Sequence, residues 1–229
     1  MFVRTLVSQS AARQIQQMIL EGKLKPGEKI PSQRELSQSL KISRATLREA
    51  LLTLETLGLL RTEPGRGTFV SSRDPSDSRA MARWRYADSY RLAEVFDTRL
   101  LLEGRIAALS ASSLTGEAID ALARATDNME KRWAAGDLLA NVEADLEFHS
   151  IIAAACPNRM LVDLYDSTRD LITETQRRPI PITEPARMNA SISEHRKIIA
   201  ALQGRDAVGA QARMEEHIRN TASCVGVFM

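Results

Sequence analysis

From residue 91 to the C-terminus, apolar side chains recur at steps of three and four, and no alternating run is long enough to read as a strand. That periodicity leaves one architecture, helices laid against helices around a shared core. Breaks at Ser113–Thr115, Gly136, Pro157-Asn158, the "RRPIPITEP" loop and Gly204 divide the region. Helices are expected at 91–112, 116–135, 138–155, 159–177, 185–203 and 206–224, with a short further candidate at 78–87. The expectation is an all-α bundle of six or seven helices.

The first 72 residues follow another pattern. A helix is expected from about Ser8 to Glu21, with Ile15, Met18 and Ile19 on one face and Gly22 as its stop. Ser32 and Glu35 form a capping box that starts a short helix, from which Leu36 and Leu40 turn inward. Ser43 can cap a third helix over 44–57, carrying Leu47, Leu51, Leu54 and Leu57. "LLRTEPGRGTFVSS" reads as two short strands around Pro64-Gly65-Arg66-Gly67. "SRDPSDSR" has no apolar residue and marks a linker. The chain is therefore expected to be mainly α. A winged helix-turn-helix of three helices plus a β-hairpin wing spans 1–72, a linker that includes the short helical candidate spans 73–90, and an all-helical domain spans 91–229.

Charge divides the same way. Residues 1–72 carry 11 Lys and Arg against 6 Asp and Glu, while residues 73–229 carry 20 against 23. A basic segment ahead of a mildly acidic one suits a nucleic-acid-binding module joined to a domain with another task. No apolar stretch is long enough to span a bilayer, and the N-terminus lacks the features of a signal peptide. Cys156 and Cys224 are the two cysteines, and free thiols in a reducing cytoplasm are the expectation.

Two short helices joined by a tight turn and followed by a hairpin place the second helix in a DNA major groove, its N-terminal side chains nearest the bases. Ser43, Arg44, Thr46 and Arg48 stand there. Arg44 and Arg48 project from one face, and a guanidinium can fork onto guanine or phosphate. Arg34 lies in the first turn of the preceding helix, where free N–H groups already favour phosphate. At the wing tip, Arg66 stands between two glycines and Thr68 follows Gly67, a backbone able to press against a groove. Each arginine alone could be a solvated surface residue, and the tip only a tight turn; the order of the elements is what points to DNA.

The stretch "LKPGEKIPSQRELSQSLKISRATLREALLTLETLGLLRTEPGRGTFV" resembles the DNA-binding domain of the GntR family of bacterial transcription regulators, from about Ser8 to Val70. The resemblance implies that Arg34, Arg44, Arg48 and Gly67 contact operator DNA. Two positions depart from the family pattern. Lys41 stands where the turn normally has Gly, and Gln33 where Glu is common. If the turn needs a left-handed residue at 41, Lys would cost on the order of 1 kcal/mol there.

The second region places polar groups on its packing faces. Asp145 and His149 interrupt the stripe Leu138, Val142, Ile152. His195 follows Ile192 and precedes Ile199 and Leu202, and His217 lies between Met214 and Thr221. A single histidine on such a stripe is usually a satisfied core residue, whereas three histidines and an aspartate could be satisfied together by a metal. Imidazole with carboxylate suits Zn²⁺, Ni²⁺, Fe²⁺ or Mn²⁺. Spacing alone leaves both readings open.

"DLEFHSIIAAACPNRML", "EHRKIIAAL" and "MEEHI" look like signature segments of the FCD domain, the effector-binding bundle of the FadR subfamily, and "VFDTRLLLEGRIAALSA" resembles its first core helix. The resemblance implies that Asp145, His149, His195 and His217 hold a divalent transition metal, Zn²⁺ first among the candidates. It also implies a small organic or sugar acid as effector rather than an acyl-CoA. Arg99 is a candidate second anchor for its carboxylate, with a helix-pairing arginine as the alternative, and Asn220, one turn after His217, is another candidate.

The expected protein is no enzyme but a homodimeric, ligand-responsive regulator, a repressor, on a pseudo-palindromic operator. Two rivals stand beside it. A DNA-binding head fused to a metal-dependent hydrolase would use the metal to activate water, with Glu143 and Glu147 near in sequence. A constitutive DNA-binding protein would carry a purely structural metal.

Overall fold

The computed structural model describes residues 2–72 and 84–229, with side chains from residue 7 onward. The described residues divide into an N-terminal and a C-terminal compact unit.

In the N-terminal unit, α1 (Phe2–Leu20), α2 (Gln33–Ser39) and α3 (Arg44–Thr56) precede the antiparallel strands β1 (Leu60–Glu63) and β2 (Gly67–Val70). Ser32 caps α2 through the full capping box with Glu35, so the serine–glutamate signal in the sequence formed as expected. α1 packs on α3, burying Ile15, Leu47, Leu51, Leu54 and Leu57. The hairpin has a backbone partner that its sequence did not announce. Ile30 N–H donates to the Thr68 carbonyl and Val70 N–H to that of Glu28, both at 2.9 Å. The segment before α2 thus ties down one edge of the wing.

The C-terminal unit contains α4 (Leu92–Ser110), α5 (Gly116–Ala134), α6 (Leu138–Ala154), α7 (Arg159–Ser167), α8 (Arg169–Arg177), α9 (Pro185–Gln203) and α10 (Ala207–Cys224). A 3-10 turn at Ile180–Ile182 lies between α8 and α9. α10 runs along α4 and also packs on α9, while α5 packs on α6 and α9. Phe96, Ile106, Phe148, Ile152, Ile198, Met214 and Ile218 share the core. Seven helices among the described residues agree with the expected bundle, with two local differences. The helix expected at 159–177 is broken at Thr168, whose hydroxyl donates to the Tyr165 carbonyl at 3.0 Å and competes with the helical ladder. Of the short helix expected at 78–87, residues 78–83 lie outside the described residues, Trp84 has no regular structure and 85–87 form turns. No helix among the described residues is long and apolar enough to cross a membrane. Cys156 is buried, Cys224 is half-buried, and both are free thiols.

Candidate metal centre and nucleic-acid interface

α6 carries Asp145 and His149 one turn apart, and α9 and α10 bring His195 and His217 to the same point. One ligand atom from each of the four falls within 4.8 Å of the others. Asp145 Oδ1 lies 3.0 Å from His195 Nε2 and 3.9 Å from His149 Nε2. The histidines are buried, at 0, 2 and 3% exposure for His195, His149 and His217, while the Asp145 side chain keeps 16%. Phe148 closes one side, its ring 4.4 Å from that of His195.

What aims the rings is behind them. His149 Nδ1 sits 2.5 Å from Glu103 Oε2, His195 Nδ1 lies 2.8 Å from the Ser191 carbonyl, and His217 Nδ1 lies 2.9 Å from Glu194 Oε2. The acceptors at Nδ1 of His195 and His217 place the ring proton there and leave the Nε2 lone pair facing the cluster, while the close His149 Nδ1–Glu103 Oε2 pair is not aligned as a hydrogen bond. Both backing carboxylates are in turn held by arginine. Arg99 Nε donates to Glu103 Oε1 at 2.6 Å, and Arg187 forks onto both oxygens of Glu194 at 2.8 Å.

Electrostatics keep these groups in ligand form. Burial alone would raise the Glu103 carboxyl, but the Arg99 charge and then His149 outweigh it and hold it at about 2. Burial opposes ionisation of Glu194 as well, yet the hydrogen bonds from His217 and Arg187 bring it to about 2. Asp145 is held below the usual carboxylate range, its burial overcome by His195 and the other two imidazoles. Burial, then the neighbouring His195, lowers His217 to about 4, so its ring is neutral at pH 7. The Nε2 atoms of His149 and His195 are buried and make no aligned hydrogen bond. Three imidazoles beside one carboxylate, two of them with unmet Nε2 atoms, fit a divalent transition metal in donor type and number.

The two candidate effector residues lie in the backing layer. Arg99 is fully buried and spends its guanidinium on Glu103 and, at 3.0 Å, on the Thr175 hydroxyl. Asn220 donates to Glu194 Oε1 at 2.8 Å. Glu143 and Glu147 lie outside the four-ligand group. Sequence reasoning missed Glu103, Glu194, Ser191 and Arg187. Glu103 carried a signal, since Phe96, Arg99, Glu103 and Ile106 share one α4 stripe and two of the four are charged. Ser191 contributes only a carbonyl, which any residue could supply.

On the N-terminal unit, Arg34 and Arg44 are exposed on the first turns of α2 and α3, and Arg48 is exposed one turn after Arg44. Arg48 Nε reaches Gln33 Oε1 at 3.4 Å, so the residue that departs from the family pattern touches a candidate DNA contact. Ser43 caps α3, accepting from Thr46 N–H at 3.0 Å, and its hydroxyl pairs with that of the buried Thr46 at 2.8 Å. At the tip, Arg66 pairs with Glu63 and lies over the Phe69 ring, and the Thr68 hydroxyl meets that of Thr62 at 2.9 Å. Gly67 has φ 121°, a backbone that L side chains rarely adopt, while a Cβ there would meet only the flexible end of Lys29. Lys41 has φ 53°, the left-handed turn residue that its position demanded.

Comparison with known proteins follows this division. The model for "Bacterial regulatory proteins, gntR family" matches residues 7–70, and that for the FCD domain matches residues 94–220. The HTH-type transcriptional regulator YcbG of Bacillus subtilis is 30% identical over 224 residues, which cover 94% of this chain and 88% of that protein. The chain belongs to the GntR family of bacterial transcription regulators. Its FCD domain places it with the FadR-like members of that family. The Uxu operon transcriptional regulator of Escherichia coli is 29% identical over 218 residues, 93% of this chain and 84% of that protein. The solved structure of E. coli McbR/YncC, 20% identical, covers 97% of each chain with a TM-score of 0.57 and shares the fold.

Proposed function

We propose that this GntR-family regulator binds a pseudo-palindromic operator as a homodimer and represses transcription until a small carboxylate reaches a divalent metal in its FCD domain. Residues 1–72 read DNA, 73–90 link, and 91–229 sense the effector and pair the protomers. Arg34, Arg44 and Arg48 supply the DNA contacts of the helices, and Arg66, Gly67 and Thr68 those of the wing tip. Asp145, His149, His195 and His217 would hold the metal, with Zn²⁺ favoured and Ni²⁺, Mn²⁺ or Fe²⁺ also suited to the donor set. The metal would supply a Lewis-acidic centre for a carboxylate oxygen. Arg99 and Asn220 act through Glu103 and Glu194, which hold the histidines in place.

The observation that carries this reading is the convergence of three inward-facing Nε2 atoms on Asp145 inside a domain joined to a winged helix. Four protein ligands leave coordination open on a five- or six-coordinate metal. Effector binding regulates only if it favours one of two arrangements that differ in operator affinity. Operator binding by fluorescence anisotropy, with metal-loaded protein and a series of organic and sugar acids, tests the proposal. Release by at least one acid is expected, and no response to any would leave a constitutive binder. That second reading, a structural metal, draws on the near-complete burial of all three histidines. It predicts stabilisation by metal with no further stabilisation by acids.

A further inference from the structure

The segment before α2 brings to the wing a cation that the hairpin itself does not carry. The backbone bonds of Glu28 and Ile30 to β2 set Lys29 directly opposite Phe69. Arg61, on β1, stands opposite Phe69 from the other side. Residues opposite one another in an antiparallel pair share a face, so Lys29, Phe69 and Arg61 line one side of the wing. Glu63, two residues along β1 from Arg61, lies on it too. The other side carries Leu60 and Val70, both buried, so the face with the charges is the outward one.

The charges on this face are not equally free. Glu63 pairs with both Arg61 and Arg66, and the two guanidiniums lie over the Phe69 ring, 5.4 and 5.6 Å from its centre. Lys29 is exposed, and its ammonium has no ion-pair or hydrogen-bond partner among the described residues. It is also close to the wing tip. A Cβ built on Gly67 would stand 2.5 Å from Lys29 Cε and 3.2 Å from Nζ, so the side chain lies across the glycine backbone. Arg66 shows an approaching phosphate a charge with its counter-charge beside it, whereas Lys29 shows a charge alone.

We propose that Lys29 is a phosphate contact of the wing, its ammonium meeting the DNA backbone beside Gly67. A lysine ammonium is a flexible point charge without the fork that reads a base edge, so it adds affinity and leaves sequence choice to other residues. The inference rests on the DNA-binding reading above and adds to it a contact from the loop before the helix pair.

Fluorescence anisotropy of the full-length protein on a labelled DNA duplex of mixed sequence, over a series of salt concentrations, tests it. Lys29→Met keeps most of the apolar stem and removes the charge. It should weaken binding by roughly tenfold at low salt. It should also make the fall of log affinity with log salt shallower by about 0.9, the share of one phosphate contact. Lys29→Arg should restore both values. The melting temperature of each variant should match the wild type, since the ammonium holds nothing in the fold. An unchanged salt dependence in K29M would overturn the inference alone. So would a loss of binding that comes with a lower melting temperature, or one that Lys29→Arg fails to restore. No binding of the duplex by the wild type at any salt concentration would overturn the DNA-binding reading and the inference with it.

Discussion

The two units hold their candidate site residues in opposite ways. The N-terminal unit wears them outside: Arg34, Arg44, Arg48 and Arg66 stand in solvent on helix starts and a wing tip. The C-terminal unit holds Asp145, His149, His195 and His217 within its bundle, with His195 and His217 hydrogen-bonded from behind and His149 set against Glu103. An exposed arginine costs the fold almost nothing, so it can be given wholly to a partner. A buried imidazole must be satisfied by the protein or by what the protein binds. The first unit should lose function without losing stability, and the second should lose both together.

The widest separation is expected from metal removal. Chelation should lower the melting temperature of the C-terminal unit by roughly 10 °C, if the metal is present at about a thousandfold above its Kd and so contributes about 4 kcal/mol. Calorimetry with and without chelator measures this, and an unchanged endotherm would break the contrast. Arg44→Ala or Arg48→Ala should weaken operator binding by roughly 10- to 100-fold, about 1–3 kcal/mol per lost contact. The melting temperature should stay put, because no core contact is removed. Anisotropy and thermal melts on one preparation separate the two effects.

Glu194→Gln probes the backing layer by removing a carboxylate that holds His217, Arg187 and Asn220 together. Metal affinity should fall by about 10- to 100-fold, the usual scale for such a partner, with operator binding retained. Competition with a chromophoric chelator reads the affinity. The smallest effect sharpens the comparison from the other side. Lys41→Gly relieves a left-handed backbone and should stabilise the N-terminal unit by about 1 kcal/mol, visible as a raised denaturant midpoint. Loss of operator affinity in the same variant would show that Lys41 touches phosphate.

Much of both sites could be read along the chain because each broke a local rule. The capping box at Ser32 and Glu35, the arginines that open the next helix and the glycines of the wing are short-range signals, and all formed where expected. Asp145, His149, His195 and His217 announced themselves as polar residues on apolar stripes. Glu103 and Glu194 were missed although Glu103 broke its stripe in the same manner, since an Arg99–Glu103 pair four apart also suits a helix surface. The break at Thr168 was missed because a threonine hydroxyl favours neither outcome until its neighbours are placed.

What the sequence alone determined was most of the elements, their caps and the candidate residues for DNA and metal, because periodicity and capping act within a turn or two of the chain. Only the tertiary structure decided that α6, α9 and α10 bring four side chains to within 4.8 Å, and that residues 28–30 hold the wing. It also decided that Arg99 stands behind the histidines rather than beside them. Those facts depend on which helix faces which, and that is settled by packing between segments dozens of residues apart.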